Sequence, residues 1–424
     1  MSNNLILYPL DYPQASAGGS GSAGSAQDST SISTVEGTLQ QIDKEALDTA
    51  IKDALSRRIE GQGNIDTQDR LLSTVYGIMP LYVVTPTPQG IPFLGTQGIP
   101  FLGTKGITGG GKGYDGSSSY GIWATMSRFT YSGESIATLA TRLSSARVYM
   151  ATVSDASGGK FLGGVAQGGV YNTIDKVSYL DERVIKLSAT LSQLIFGAAG
   201  GIGTKTLGYL LGGSTGTYFL KSGYRYNHSL DSVSYLGEIT TVPRLSAHNG
   251  AGNRYNGYIF AGTGVRGNLT NYFTWTDVAY HLFSIERLTY SNEVVSALGT
   301  TLTASHVSHA IFGNETKSYI AGGAMSAGNQ VLWATTTIEA FTFGGETSSV
   351  LSSGLQDAKI CVDGVSSQIA GYAIGGDTLT GWSGSKSIDK LLFSSEITSR
   401  IGASLSSYLN DQGGVSDYSP GFSY

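Results

Sequence analysis

The segment TIDKVSYLDE at residues 173–182 is one of six similar segments that decide the fold of this 424-residue chain. Each reads as an apolar residue, usually an acid, a variable residue, an apolar residue, a small residue, an aromatic, two turn residues and glutamate. The other copies are TMSRFTYSGE, SLDSVSYLGE, SIERLTYSNE, TIEAFTFGGE and SIDKLLFSSE, spaced 48 to 56 residues apart. Two alternating runs around a two-residue turn predict a tight β-hairpin in each copy.

A second segment alternates with the first along the chain. It is an apolar or aromatic run that ends in two small residues, usually a glycine pair, which allows the backbone to take positive φ. The copies are KFLGG, GYLLGG, GYIFAG, SYIAGG, GYAIGG and a truncated PGFSY at residues 420–424. Four short strands per unit of about 50 residues predict an all-β fold, a six-bladed β-propeller.

The two alternating segments resemble the kelch repeat in the divergent form found in bacterial and phage proteins. The resemblance covers residues 110–424 and implies a kelch-like propeller. Because the hairpin segment comes first and the glycine-pair segment comes last, we predict that one blade is shared. C-terminal inner strands would join N-terminal outer strands at residues 122–139, which would leave no open edge.

Four regions are predicted: a Gly/Ser-rich docking tail at 1–33, an amphipathic helix at 34–62, a stalk at 63–109 and the propeller at 110–424. The stalk carries the octad repeat GIPFLGTQ–GIPFLGTK, which predicts either an ordered extended stalk or a duplicated segment in a flexible linker. The helix either packs on the propeller or bundles with copies of itself; bundling is the favoured interpretation. The oligomerisation residues would be Val35, Leu39, Ile42, Ile51, Leu55 and Ile59.

Composition restricts the function classes. The net charge of −5, with no Lys/Arg cluster, disfavours nucleic acid as a partner. No apolar run reaches 18 residues and no signal peptide is recognisable, so we expect a protein made in the bacterial cytoplasm without membrane insertion. The single cysteine, Cys361, lies at an apolar position and is expected to be a buried, inert thiol.

No residue pattern predicts an enzyme, a metal site or a cofactor. The hairpin glutamates recur in every copy, which favours a structural role as acceptors for nearby backbone N–H groups. They are Glu134, Glu182, Glu238, Glu293, Glu346 and Glu396, three residues after the aromatics Tyr131, Tyr179, Tyr235, Tyr290, Phe343 and Phe393. His306 and His309, if on a strand, would point to opposite faces, which disfavours a metal pair.

Aromatic residues between the two kinds of segment break the repeat symmetry. Such connections emerge on one face of a propeller, where aromatics among Asn, Thr, Ser and Gly suit stacking on sugar rings. Packing between blades is the alternative. The candidate ligand-binding residues are Trp123, Tyr272, Phe273, Trp275, Trp333 and Trp382.

The order of tail, assembling helix, stalk and C-terminal ring resembles a bacteriophage tail fibre or receptor-binding protein. This resemblance implies a virion protein, expected to be a homotrimer, whose residues 1–33 dock on a tail or baseplate protein. Its propeller would bind host surface polysaccharide for viral attachment. The alternatives are a purely structural head or neck fibre, a cellular kelch-like adaptor that binds protein, and an enzyme on a propeller.

Overall fold

The computed structural model describes residues 6–9, 81–84, 103–114, 120–245, 250–264, 280–326, 332–378 and 384–418. Every regular element within these ranges is a β-strand, and residues 103–418 form six antiparallel blades. The predicted all-β, six-bladed β-propeller is therefore confirmed.

The N-terminal part of the chain forms a separate unit, residues 1–100. Its strands Ile6–Pro9 and Leu81–Val84 pair antiparallel, with Ile6 opposite Val84. The predicted helix at 34–62 and its oligomerisation residues lie outside the described residues. So do the rest of the docking tail and nearly all of the octad repeat.

Blades 2 to 6 each use four strands in chain order, from the axis outward. In blade 2 they are Ala151–Ser154, Gly158–Leu162, Thr173–Ser178 and Val184–Thr190. In blade 3 they are Ala199–Gly203, Leu207–Leu211, Ser222–Asn227 and Ser232–Glu238. In blade 4 they are Ala251–Gly252, Asn256–Phe260, Ser284–Thr289 and Val294–Thr301.

Blade 5 has the strands Ala310–Gly313, Lys317–Ala321, Ile338–Thr342 and Thr347–Val350. Blade 6 has Asp363–Ser366, Ala370–Ile374, Ser385–Leu392 and Ile397–Asn410. The last strand of blade 6 is long enough to pair also with a short ribbon, Lys112–Tyr114 and Tyr120–Ile122. This ribbon extends the sheet of blade 6 to six strands.

Blade 1 closes the ring and is shared, as predicted, between the two ends of the propeller. Its innermost strand, Gly413–Ser416, comes from the C-terminal end, with Val415 opposite Ile107. Its other strands are Lys105–Gly109, Thr125–Thr130 and Ser135–Arg142.

The sharing differs from the prediction in one strand. The second strand of blade 1 is N-terminal, because KGITGG at residues 105–110 is the glycine-pair segment of this blade. It overlaps the end of the octad repeat, which hid it in the sequence. The predicted boundary at residue 110 is therefore five residues too late, and PGFSY at 420–424 lies outside the described residues.

The third hairpin begins seven residues earlier than the predicted segment SLDSVSYLGE. The hairpin of blade 3 is SGYRYNHSLD at residues 222–231, in which Tyr224 lies opposite Tyr235 on the next strand. His228 thus takes the aromatic position and Asp231 takes the glutamate position. The error arose because the fourth strand of blade 3 also alternates and ends in Gly-Glu.

Aromatic stacking between neighbouring blades explains why the two segments occur together. In four interfaces, a tyrosine of the glycine-pair strand stacks on the hairpin aromatic of the next blade. The centroid distances are 5.5 Å for Tyr209–Tyr290, 5.3 Å for Tyr258–Phe343, 5.3 Å for Tyr319–Phe393 and 5.5 Å for Tyr372–Tyr131. Each such pair adds about 0.5–1.5 kcal/mol to the burial of apolar area.

Both partners differ in the interface of blades 2 and 3. Lys160 stands at the tyrosine position and His228 at the aromatic position, and both are buried. The Asp155 carboxylate binds the Lys160 ammonium and lies 3.3 Å from His228 Nδ1. Burial, and then the neighbouring Lys160 charge, lower the pKa of His228 to about 4, so its ring is neutral at pH 7.

A ring of ion pairs joins the hairpin turns around the propeller. The turn acid of each blade has a φ of 43° to 58° and accepts from a basic side chain of the preceding blade. The distances are 2.9 Å for Arg128–Glu182, 2.7 Å for Lys176–Asp231, 2.9 Å for Arg225–Glu293, 2.8 Å for Arg287–Glu346, 2.8 Å for Lys317–Glu396 and 2.5 Å for Lys390–Glu134. These contacts agree with a structural role for the glutamates, but the partners are side chains of another blade rather than backbone N–H groups. Glu238, at the end of a fourth strand, is not one of these acids.

A second set of ion pairs is buried inside the ring. The acid of the hairpin segment meets a basic residue from the crossing that enters its blade. The distances are 2.5 Å for Arg147–Asp175, 3.0 Å for Arg244–Glu286 and 3.2 Å for Lys359–Asp389. In blade 5 His306 stands at the position of the base, and its Nε2 lies 3.6 Å from Glu339 Oε2. The side chains of these pairs are at most 1% exposed. In blade 1 the acid is replaced by Ser127 and the base by Leu409. In blade 3 the acid is replaced by Tyr224 and the base by Ile195.

Candidate functional site

One face of the propeller carries the connections between second and third strands, together with the crossings between blades. We call it the loop face. In blade 2 this connection forms a short ribbon, Val165–Ala166 with Gly169–Val170. Equivalent ribbons are Thr263–Gly264 with Tyr280–His281, Ala324–Ser326 with Leu332–Ala334, and Lys112–Tyr114 with Tyr120–Ile122.

The opposite face, here called the turn face, carries the tight hairpins. The turns between first and second strands lie beside the turns between third and fourth strands. In blades 2 to 6 they share a hydrogen bond, as from Tyr290 N–H to Tyr255 O at 3.0 Å in blade 4. In blade 1 the Tyr131 N–H donates instead to Thr104 O, just before the second strand, at 3.0 Å. The turn face is therefore nearly the same in every blade, whereas the loop face differs from blade to blade.

The glycine pair shapes the start of each loop-face connection. In blade 2, Gly163 and Gly164 have φ of 66° and 101°. A Cβ atom on Gly163 would lie 2.2 Å from the carbonyl oxygen of Ile195, so no side chain fits. The N–H of Gly164 donates to that same carbonyl at 2.8 Å, which ties the connection to the crossing.

A ring of residues with positive φ surrounds the axis on the loop face. These residues stand two positions after the buried crossing residue of each blade. The described members are Tyr149, Gly197, Ser308, Cys361 and Asp411, with φ between 54° and 63°. Their backbones bond in sequence around the axis, as from Gly197 N–H to Tyr149 O at 2.7 Å and from Asp411 N–H to Cys361 O at 3.1 Å.

Tyr149, Cys361 and Asp411 of this ring, together with Lys112 from the strand Lys112–Tyr114, form a polar cluster beside the axis, which we call the axial cluster. Lys112 Nζ lies 2.8 Å from Asp411 Oδ2 and donates to Tyr149 Oη at 3.1 Å. Burial would lower the pKa of Lys112, but Asp411 and Tyr149 raise it above its ordinary value, so the ammonium is charged at pH 7. The axial cluster therefore offers a fixed cation, a carboxylate and a phenol.

Cys361 lies in this cluster and is buried, as predicted. Burial, and then the Asp411 carboxylate, raise the pKa of the Cys361 thiol. The thiol is therefore protonated at pH 7, and a thiol rather than a thiolate is a weak nucleophile.

The structure places two of the six candidate ligand-binding residues on the loop face. The Trp123 indole N–H donates to Gly113 O at 2.9 Å, and its ring packs against the core between blades 6 and 1. Trp123 thus fixes the ribbon Lys112–Tyr114 with Tyr120–Ile122, in agreement with the packing alternative. Trp333 lies in the strand Leu332–Ala334, opposite Met325. Tyr272, Phe273, Trp275 and Trp382 lie outside the described residues.

His306 and His309 lie in an irregular crossing rather than on a strand, so the expectation of opposite faces rested on the wrong element. Their rings are 6.0 Å apart, and His306 Nδ1 lies 2.7 Å from Gly322 O. Burial raises the pKa of Glu339, but His306, Ser348 and Thr303 together lower it below its ordinary value. His306 thus takes the place that Arg147, Arg244 and Lys359 hold in the crossings of other blades.

The axis itself holds a narrow cavity of about 70 Å³, lined by innermost strands and by Tyr418. A space of this size suits a few water molecules. Near it, Asp363 is 1% exposed, and its Oδ1 accepts only from the N–H of Gly364 at 2.9 Å. Burial raises the pKa of Asp363 to about 7.

Among the residues that the structure describes, no three His, Cys, Asp or Glu side chains could share one metal ion. The same part of the chain has no helix of the length and apolarity needed to cross a bilayer. No protein-family model matches the sequence, and no curated protein matches it either.

Sequence reasoning missed the axial cluster because its members come from four different crossings and connections. A signal was present: each crossing places one residue two positions after Arg147, Ile195, His306, Lys359 or Leu409. Aligning the crossings would have shown that these residues are unlike one another. That difference distinguishes them from the repeated core positions.

Proposed function

We propose that the chain is a bacteriophage virion fibre protein with a kelch-like propeller that binds a host surface glycan for adsorption. The observation that carries the proposal is the contrast between the two faces. Six connections of different content, and the axial cluster, gather on one face of a closed ring, while the turn face repeats. Such an arrangement suits recognition of a ligand by rigidly supported, individually variable loops.

The ring supports this function through its rigidity. The stacked aromatics, the ion pairs of the turn face and the buried ion pairs hold each blade against the next. A preorganised surface loses little conformational entropy on binding. Charged side chains fixed beside the axis, together with the aromatics that the sequence places in the connections, match a ligand with ring faces and hydroxyl groups.

The N-terminal region would supply attachment and assembly. We propose that residues 1–33 dock on a tail or baseplate protein and that residues 34–62 assemble copies, with a trimer as the expected state. Several linked propellers would convert weak sites into firm adsorption, because the second binding event occurs at a high effective concentration.

The test uses the full chain, labelled with a fluorophore and displayed on beads, against a panel of bacterial strains. Each strain is used untreated, after periodate oxidation of its surface glycans, and after protease treatment. We expect binding to a narrow set of strains that periodate abolishes and protease leaves intact. Binding to no strain would overturn the proposal in favour of a structural fibre, and binding abolished by protease alone would favour a protein partner.

A further inference from the structure

Three tyrosines form a row across the outer end of the blade 6 sheet, on the loop-face side. Tyr408 lies opposite Tyr114, and Tyr114 lies opposite Tyr120, so all three side chains are on the same side of the sheet. The rings of Tyr114 and Tyr120 are 5.2 Å apart in an edge-to-face arrangement. We call these three residues the tyrosine row.

The row is open to solvent. Tyr120 is 49% exposed and Tyr408 is 43% exposed. A cross-strand aromatic row on a sheet is ordinarily used for packing, but here nearly half of the surface of Tyr120 and of Tyr408 remains exposed. The Lys386 ammonium, from the neighbouring strand of blade 6, lies over the Tyr408 ring at 4.5 Å from its centroid.

Fixed polar groups border the row toward the axis. Lys112 is two residues before Tyr114 and opposite Ile122, so it projects from the same side of the ribbon. Its ammonium is held by Asp411 and Tyr149 in the axial cluster. The Trp123 indole N–H donates to Gly113 O and so holds the ribbon in place. The row is thus a rigid aromatic surface between two lysines.

We propose that Tyr114, Tyr120 and Tyr408, with Lys386 beside them, form a stacking subsite for a pyranose ring of the host glycan. The C–H face of a pyranose would lie on the exposed tyrosine rings, and its hydroxyl groups would reach Lys386 and the axial cluster. This inference rests on the proposed function and assigns residues that the sequence pattern did not single out.

The matched control comes from the turn face. Tyr255 is 59% exposed, and the Arg254 guanidinium lies 4.6 Å from the centroid of its ring. It therefore combines exposure and a neighbouring cation like Tyr408, but on the face where no binding is proposed. Replacing it removes one exposed aromatic that lies beside a cation, on the face where no binding is proposed.

The experiment compares the full wild-type chain with Tyr120→Ser/Tyr408→Ser and with Tyr255→Ser. The probe is polysaccharide extracted from a strain that wild type binds, immobilised on a sensor. We expect the double variant to bind about tenfold or more weakly, because both exposed rings of the subsite are removed, and the control to bind like wild type. Unfolding midpoints and sedimentation are measured on the same samples.

If the double variant binds the polysaccharide as tightly as the wild type does, the proposed subsite is overturned while the proposed function stands. A changed sedimentation coefficient of the double variant would also overturn it, because the row would then be a contact between copies. Absence of wild-type binding to every strain would instead count against the proposed function itself. An equal loss in Tyr255→Ser would overturn the assignment to this face.

Discussion

The interfaces between blades and the loop face follow opposite rules. At the interfaces, one set of contacts recurs around the ring, and a change on one side is matched on the other. Arg244 faces Glu286 inside blade 4, whereas Leu409 and Ser127 occupy the equivalent positions of blade 1. On the loop face, equivalent positions hold Tyr149, Ser308, Cys361 and Asp411. Recurrence thus identifies residues that maintain the fold, and its absence identifies candidates for binding.

Loss of ring closure should reduce the stability of the propeller more than any other change considered. A chain that ends at residue 411 lacks the strand Gly413–Ser416, which leaves the inner edge of Lys105–Gly109 unpaired in blade 1. We expect loss of cooperative unfolding, measured by circular dichroism against urea. The control ends at residue 418 and should keep the wild-type midpoint. A cooperative transition in the shorter chain would show that closure does not depend on this strand.

The buried ion pairs should have the next largest effect. Arg244→Ala removes the cation beside Glu286 and leaves a buried carboxylate whose Oε1 accepts only from the N–H and hydroxyl of Thr241 among the described residues. We therefore expect a loss of about 3–5 kcal/mol in the free energy of unfolding. The double variant Arg244→Leu/Glu286→Ser reproduces the pair that blade 1 uses and should recover most of that loss. Urea titration measures both. A double variant no more stable than Arg244→Ala would show that the interfaces are not interchangeable.

Asp363 should give a smaller, pH-dependent effect. Its pKa of about 7 in the folded chain lies above the ordinary aspartate value, so the folded state holds a proton that the unfolded state has released. Stability should therefore fall by about 2 kcal/mol as pH rises from 5 to 7, through this group alone. Asp363→Asn should remove that dependence. Urea titrations of wild type and variant at pH 5 and pH 7 measure the change in the free energy of unfolding. The same pH dependence in both proteins would contradict the prediction.

The sequence could predict the fold because hairpin and glycine-pair segments are local and recur. It misplaced the blade 3 hairpin because the fourth strand of that blade has the same alternation. It could not predict the buried ion pairs, since their members are 28 to 42 residues apart, as in Arg147–Asp175 and Arg244–Glu286. Only the folded chain brings each crossing residue into contact with the hairpin segment of the blade that the crossing enters.

The candidate site could be predicted only as a face. The alternation of the two segments identifies the connections, but it does not indicate that the indole N–H of Trp123 donates to Gly113 O. The tyrosine row depends on the pairing of Tyr408 with Tyr114, which joins residues from opposite ends of the propeller. No local pattern in either segment indicates that register.

Hydrogen exchange of the full chain, with and without polysaccharide from a strain it binds, tests the assignment of binding to the loop face most directly. We predict slower exchange on binding in the ribbon Lys112–Tyr114 with Tyr120–Ile122 and in other loop-face connections, and unchanged exchange in the hairpin turns. Protection confined to the turn face, or to the N-terminal 100 residues, would contradict the account.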